Sequence, residues 1–239
     1  MKVGIFGGTF NPVHYGHLRA AEEVREKLAI DRVLFIPSGN PPLKTRDIAD
    51  SRHRYEMARL ALADSSSFEL SDIECRLPGK SYTIKTVGML REMNPDSDLF
   101  LILGIDAFLD IPNWRDPEAL ISHTNFIIIS RPGLSFTALK TSPYLKISRK
   151  VLLKIDRKET EHYSAALKSG KKAVLLNITP LGISSTEIRN LVRQGKSLKY
   201  LLPAEVQSYI ITNKLYGSER LNIRSKKPRI GNDVTILDS

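Results

Sequence analysis

The chain has 239 residues, 41% of them hydrophobic and 26% charged, with a formal net charge of +10 and a single cysteine, Cys75. That length and apolar content fit one large domain, or one domain with appendages, around a sizeable core. A lone cysteine excludes an internal disulfide framework and points to a reducing cytoplasm; no apolar run approaches a membrane span, and Met1-Lys2 leads into a strand rather than a signal peptide.

Val3-Gly4-Ile5-Phe6 reads as a buried strand, and Leu18, Ala21, Val24 and Leu28 form an apolar stripe at helical spacing. Gly7-Gly8-Thr9-Phe10-Asn11-Pro12-Val13-His14-Tyr15-Gly16-His17 is therefore the turn from a first strand into a first helix. In open α/β sheets such turns lie at the carboxyl ends of the strands, where ligands bind. Gly7 and Gly8 allow a close backbone approach, and Pro12 stiffens the loop. His14 falls just before the helix and His17 in its first turn, beside helix-start N–H groups that favour an anion. Arg32–Pro37 reads as a second strand, completing a βαβ unit and implying a parallel sheet. The Ser38–Lys44 loop follows at the same end, where Lys44 is either a solvated charge or a phosphate contact.

A helix is expected from about Ser51 to Ala63, then short strands at Phe68–Ser71 and around Ile73, then a turn at Pro78–Thr83 opening another helix. Asp98–Gly104 is the clearest buried strand. Asp106, just beyond it, could hold a ribose hydroxyl or a metal-bound water, or cap a helix. Trp114 could be core packing or a plane that stacks a flat ring. Phe126–Ser130 is the next strand, with Arg131 at its exit, and Ala173–Ile178 another. Residues 134–172 carry ten Lys or Arg against three acids and read as a peripheral, solvated basic segment rather than a nucleic-acid surface. Gly182-Ile183-Ser184-Ser185-Thr186-Glu187-Ile188-Arg189 opens a helix whose hydroxyls are caps or, with Arg189, a second anion site. A last helix is expected from Leu202 to about Leu215. The expected organisation is one domain over 1–217 and a flexible tail over 218–239.

Gly79-Lys80-Ser81 and Gly195-Lys196-Ser197 lack the leading Gly of a Walker A loop, with Glu74 and Asn190 in its place. No Ser/His/Asp or Cys/His constellation and no zinc-ligand spacing appears. Imidazoles, cations and helix starts without a protein nucleophile suit transfer between phosphates, which needs in-line positioning and charge neutralisation.

The opening motif and Ile183-Ser184-Ser185-Thr186-x-Ile188-Arg189 together resemble the two signatures of nucleotidylyltransferases. The Ser81-Tyr82-Thr83 turn, Gly104-x-Asp106, Trp114 and Arg131-Pro132-Gly133 resemble those of the bacterial nicotinate-nucleotide adenylyltransferases. The resemblance spans residues 2 to about 216 and implies a Rossmann-like, doubly wound parallel α/β sheet with helices on both faces. It implies adenylyl transfer from ATP to nicotinate mononucleotide with Mg²⁺, and no metal held by a protein site of its own. His14 and His17 would then hold the ATP phosphates. Gly7, Gly8, Thr9, Phe10, Gly104, Asp106, Ile183, Ser184, Ser185 and Arg189 would complete the ATP site, Asp106 meeting a ribose. Trp114 would stack on the nicotinate ring, Thr83 and Arg115 would offer N–H groups to its carboxylate, and Asn40, Lys44 and Arg131 would hold the mononucleotide. A sibling enzyme acting on another mononucleotide or on pantetheine phosphate is the alternative within the class, and a basic RNA-binding protein on the same scaffold the alternative outside it. No membrane and no specific nucleic acid is expected as a partner, and a homo-oligomer is left open.

Overall fold

The computed structural model describes residues 1–42 and 47–220. β1 (Lys2–Gly8) runs through the glycine-rich turn into α1 (Tyr15–Leu28), and β2 (Arg32–Pro37) returns parallel beside β1. After α2 (Ser51–Leu62), β3 (Phe68–Leu70) adds to the far side of β2, and α3 (Ile73–Arg76) and α4 (Thr83–Met93) carry the chain back. β4 (Asp98–Gly104) then pairs with the other edge of β1. α5 (Ile105–Asp110), a 3-10 turn at Ile111–Asn113 and α6 (Pro117–His123) lead to β5 (Asn125–Ile129) beside β4. A 3-10 helix at Phe136–Thr141, α7 (Arg149–Asp156), β6 (His162–Ala166), β7 (Lys172–Leu176), α8 (Ser185–Arg193), α9 (Ala204–Thr212) and a 3-10 stretch at Leu215–Arg220 complete the described chain.

The strand order is β3-β2-β1-β4-β5-β7-β6, parallel throughout except that β6 pairs antiparallel with β7. This is the expected Rossmann-like α/β sheet. Successive side chains point to opposite faces and the central strands are apolar on both, which explains why helices cover both faces. Leu99, Leu101 and Leu103 of β4 join Phe126 and Ile128 of β5 under α4, α5, α6 and α7. Phe100 and Ile102 join Ile127 and Ile129 on the opposite face, under α1, α2, α8 and α9. The order reverses between β1 and β4, so their carboxyl ends open a crevice at the switch point.

Three expectations need revision. The segment around Ile73 is a helical turn rather than a strand, closed by the Arg76 N–H donating to the Asp72 carbonyl (3.1 Å), with the Ser71 hydroxyl accepting the Ile73 N–H (3.3 Å). Residues 134–172 are not peripheral. Phe136, Leu139, Tyr144, Leu145, Ile147, Leu152, Ile155 and Leu167 are buried in the main core, while the lysines keep their charges at the rim. The folded unit also reaches past 217, because Ser218 is buried and its hydroxyl donates to the Ile210 carbonyl (3.1 Å). The expected tail beyond 220 lies outside the described residues.

Candidate active site

At the switch point lies a cleft of about 920 Å³, floored by the ends of β1 and β4 and walled by the starts of α1, α4 and α8. Gly7, Gly8, Thr9, Phe10, His14 and His17 line it, as do Thr83, Gly104, Asp106, Trp114, Arg115, Arg131, Ile183, Ser184, Ser185 and Arg189. Residues spread over 180 positions of sequence thus share one cavity. Asn40 is not among the lining residues: its side chain is exposed, and its backbone exchanges two hydrogen bonds with Ser81 instead. Lys44 lies outside the described residues.

His14 is the N-cap of α1 and is 5% exposed. Its ring stacks on that of His17, centroids 3.7 Å apart. Gly16 makes this possible, since a Cβ there would press to 3.0 Å from the His14 ring. The His14 N–H donates to His17 Nδ1 (3.3 Å), so in neutral His17 the proton sits on Nε2, which makes that nitrogen the donor. Phe10 packs edge-on to His17 at 5.0 Å and fixes the ring plane further. Among the described residues His14 Nδ1 is buried without a hydrogen-bond partner. Burial first, and the Arg131 charge second, hold the His14 imidazole down to about pKa 4. An orphaned nitrogen of this kind is costly unless something arrives to satisfy it.

The start of α8 is arranged differently. The Ser184 hydroxyl accepts the Glu187 N–H (3.1 Å) as a cap, and the Ser185 hydroxyl donates to the Pro12 carbonyl (2.8 Å). Arg189 donates to Asp47 (2.9 Å) and to the Asn11 carbonyl (2.9 Å), and Arg193 also pairs with Asp47. On the opposite rim Arg131 lies 3.4 Å from Asp106, both half exposed, a pair of little energetic weight. The Trp114 indole N–H donates to Asp110 (3.0 Å), which sets the plane of the ring along the cleft wall. Among the described residues no group of three or more His, Cys, Asp or Glu is placed to hold a metal ion. Nor is any described helix long and apolar enough to cross a membrane.

Several residues that shape the site were given no role by the motifs. Asn11, 4% exposed, accepts from the Tyr216 hydroxyl (2.7 Å) and the Ala49 N–H (3.1 Å) and donates to the Asp47 carbonyl (2.8 Å). Burial first raises the Tyr216 phenol well above its ordinary value, keeping it a donor. Glu23, buried in α1, accepts the Thr179 N–H at 3.0–3.1 Å and so ties α1 to the loop after β7. Glu74, also buried, lines the cleft, and burial first pushes its carboxyl up while donors from Thr86, Ser81, Gly39 and Ser38 pull it back. Nothing in the sequence marks these residues: Asn11 sits in a turn and Glu23 between the apolar positions of α1, where a polar side chain looks solvated.

The cytidylyltransferase-like family model matches residues 5–191. A protein of Geotalea daltonii named "Probable nicotinate-nucleotide adenylyltransferase" is 41% identical over 221 residues, covering 92% of this chain and all of that one. One of Geobacter sulfurreducens with the same name is 42% identical over 220 residues, with the same coverage. Among solved structures, Plasmodium falciparum nicotinic acid mononucleotide adenylyltransferase complexed with NaAD superposes with a TM-score of 0.68 at 23% identity, covering 90% of this chain and 97% of that one. That likeness supports the fold.

Proposed function

From the membership of this chain in the nicotinate-nucleotide adenylyltransferases, within the cytidylyltransferase-like family, we infer that it joins nicotinate mononucleotide to the adenylyl part of ATP. A phosphate oxygen of the mononucleotide attacks the α-phosphorus in line, the bond to the β-phosphate oxygen breaks, and nicotinate adenine dinucleotide and pyrophosphate leave. The observation that carries the reading is the single cleft in which the α1 and α8 starts, Asp106 and Trp114 converge. It is large enough for two nucleotides side by side.

In this reading His14 and His17 donate to the ATP phosphates. His17 offers Nε2–H, and the orphaned His14 imidazole gains a partner when phosphate arrives. Preorganised donors of this kind lower the barrier where charge moves from the α-phosphorus to the leaving pyrophosphate. The α8 start supplies its dipole and the cation of Arg189, which shares Asp47 with Arg193. Asp106 meets a ribose, Arg131 the mononucleotide phosphate, and Trp114 the nicotinate ring, whose carboxylate takes backbone N–H groups at Thr83 and Arg115. Lys44 belongs to the mononucleotide contacts by resemblance. Mg²⁺ accompanies ATP and supplies charge neutralisation at its phosphates. With no cage of protein ligands among the described residues, the nucleotide's own oxygens would be its main ligands. We place the enzyme in the cytoplasm on its lone thiol.

Pyrophosphate release from ATP tests this, measured with nicotinate mononucleotide, nicotinamide mononucleotide and pantetheine phosphate in turn. Release with the first at the highest kcat/KM is expected; release only with another overturns the substrate assignment.

A further inference from the structure

Arg54, in the first turns of α2, is 1% exposed, and it belongs to none of the motifs. Its guanidinium donates to three backbone carbonyls on two loops: Thr9 (2.8 Å) in the β1–α1 turn, and Gly39 (2.9 Å) and Ala49 (2.9 Å) near the two ends of the β2–α2 connection. Burial pulls its pKa down, and the neighbouring Cys75, Tyr216, Asp50 and Glu74 only partly offset that. A buried cation bonded only to neutral carbonyls is an expensive way to fill a core, and an apolar side chain of like volume would serve stability better. Its value must lie in what the three carbonyls do.

Both loops contribute to the cleft, one from the end of β1 and the other from the end of β2. Thr9 and Phe10 belong to the wall that carries the histidines. A trans peptide points its carbonyl and its N–H to opposite sides, so drawing the Thr9 carbonyl onto Arg54 turns the Phe10 N–H away from it. The Gly39 peptide obeys the same rule: its carbonyl goes to Arg54, and the Asn40 N–H goes to the Ser81 hydroxyl (3.0 Å). The Asn40 carbonyl in turn takes the Ser81 N–H (2.9 Å), one residue before Tyr82-Thr83 and the start of α4. From the other side the buried Glu74 carboxylate receives the Gly39 N–H. Gly39 is held so tightly that a Cβ there would fall 2.0 Å from the Glu74 carbonyl oxygen.

We propose that Arg54 is a positioning residue that sets the phosphate wall and the nicotinate wall of the cleft against each other, so that both substrates depend on it although it touches neither. The planar fork is needed, because three acceptors in fixed directions match a guanidinium and not an ammonium. The inference rests on the adenylyl-transfer reading, and the experiment separates the two. Steady-state kinetics are run on wild type, Arg54→Lys and Arg54→Gln, varying ATP and nicotinate mononucleotide separately, with melting curves in parallel. We expect KM for each substrate to rise at least about fivefold in both variants, because small misplacements of cleft groups cost heavily. A purely structural role would only reduce the folded fraction, lowering apparent kcat while leaving both KM values in place. If Arg54→Gln does not fold, Arg54→Lys, which keeps the charge and part of the bonding, decides alone. Unchanged KM for either substrate in a folded variant overturns the proposal. Wild type inactive with this pair overturns the adenylyl-transfer reading first, and the proposal with it.

Discussion

The starts of α1 and α8 face the same cleft and are built in opposite ways. At α8 the polar side chains are already engaged: Ser184 caps its own helix, Ser185 holds the Pro12 carbonyl, and Arg189 is paired with Asp47. At α1 there is no serine or acid in the first turn: the reciprocal cap is made by two imidazoles, His14 turned towards the His17 N–H and His17 accepting the His14 N–H, and among the described residues His14 Nδ1 gains no well-formed hydrogen bond. A helix that only needed an end would be capped as α8 is, since hydroxyl caps contribute about 1 kcal/mol. The difference separates a start that keeps hydrogen-bonding capacity for a ligand from one that holds the frame of the site. The α4 start at Thr83 resembles α1 in this respect, since its N-cap Tyr82 makes no side-chain capping bond.

The sharpest test of the contrast is His17. Its Nε2–H is oriented by the His14 backbone and held by Phe10. His17→Ala should lower kcat by about a hundredfold to a thousandfold, as losing one preorganised donor does. The melting temperature should change little, because the half-buried ring lines the cleft and meets the core only edge-on at Phe6 and Phe10. Near-normal turnover in a folded variant would leave α1 no more chemical than α8.

His14 adds a pH dependence. In the unfolded chain it gains a proton near its ordinary value of 6.5, while in the fold it resists until about pH 4. Between those limits the unfolded state binds more protons, so stability rises with pH across that window and is lost as pH falls through it. The full difference is about 3 kcal/mol. Denaturant melts at pH 7.5 and pH 4.5 should show a larger acid loss in wild type than in His14→Asn, which has no proton to gain. Equal acid losses would mean that the imidazole is not held neutral.

How far these differences were legible in the sequence depends on whether a residue acts through its type or through its neighbours. β2 and β4 were read with their observed bounds, because continuous apolar runs ending in Pro or Gly leave little choice. The convergence of His14, His17, Ser184 and Trp114 was readable from motifs placed at strand ends. The state of those groups was not. That Ser184 acts as a cap was one of two local readings, and that Asp47 holds Arg189 depends on a contact across 142 positions. Arg54, Asn11 and Glu74 were invisible for the same reason, since a polar residue on an amphipathic helix or in a loop looks solvated until its partners are known. The basic segment 134–172 misled because its ten Lys and Arg stand between eight apolar anchors and obscure their spacing, although the anchors alone determine where it packs.

The α4 start carries the third prediction. A carboxylate only accepts hydrogen bonds, whereas an amide brings an NH₂ donor towards the same N–H groups. Leaving such a group unpaired costs about 1–3 kcal/mol, so kcat/KM should favour nicotinate over nicotinamide mononucleotide by about tenfold to a hundredfold. Trp114→Ala should weaken both substrates and leave most of the preference, because main-chain groups set it. Equal efficiency on the two in wild type would place α4 with α8, as frame.

The smallest expected effect tests the α8 side of the contrast. If the Ser184 hydroxyl serves its own helix, Ser184→Ala removes one N-cap bond and costs about 1 kcal/mol of stability. For a domain of this size that lowers the melting temperature by about 2–4 °C. The helix dipole and the backbone N–H groups of the first turn survive the substitution, so KM for ATP should stay within about threefold. The opposite pattern, an unchanged melting temperature with a tenfold or larger rise in KM for ATP, would show that the hydroxyl leaves its cap for the nucleotide. α8 would then be a second ligand-facing start like α1, and the frame would have to be sought in Asn11 and Arg54 alone.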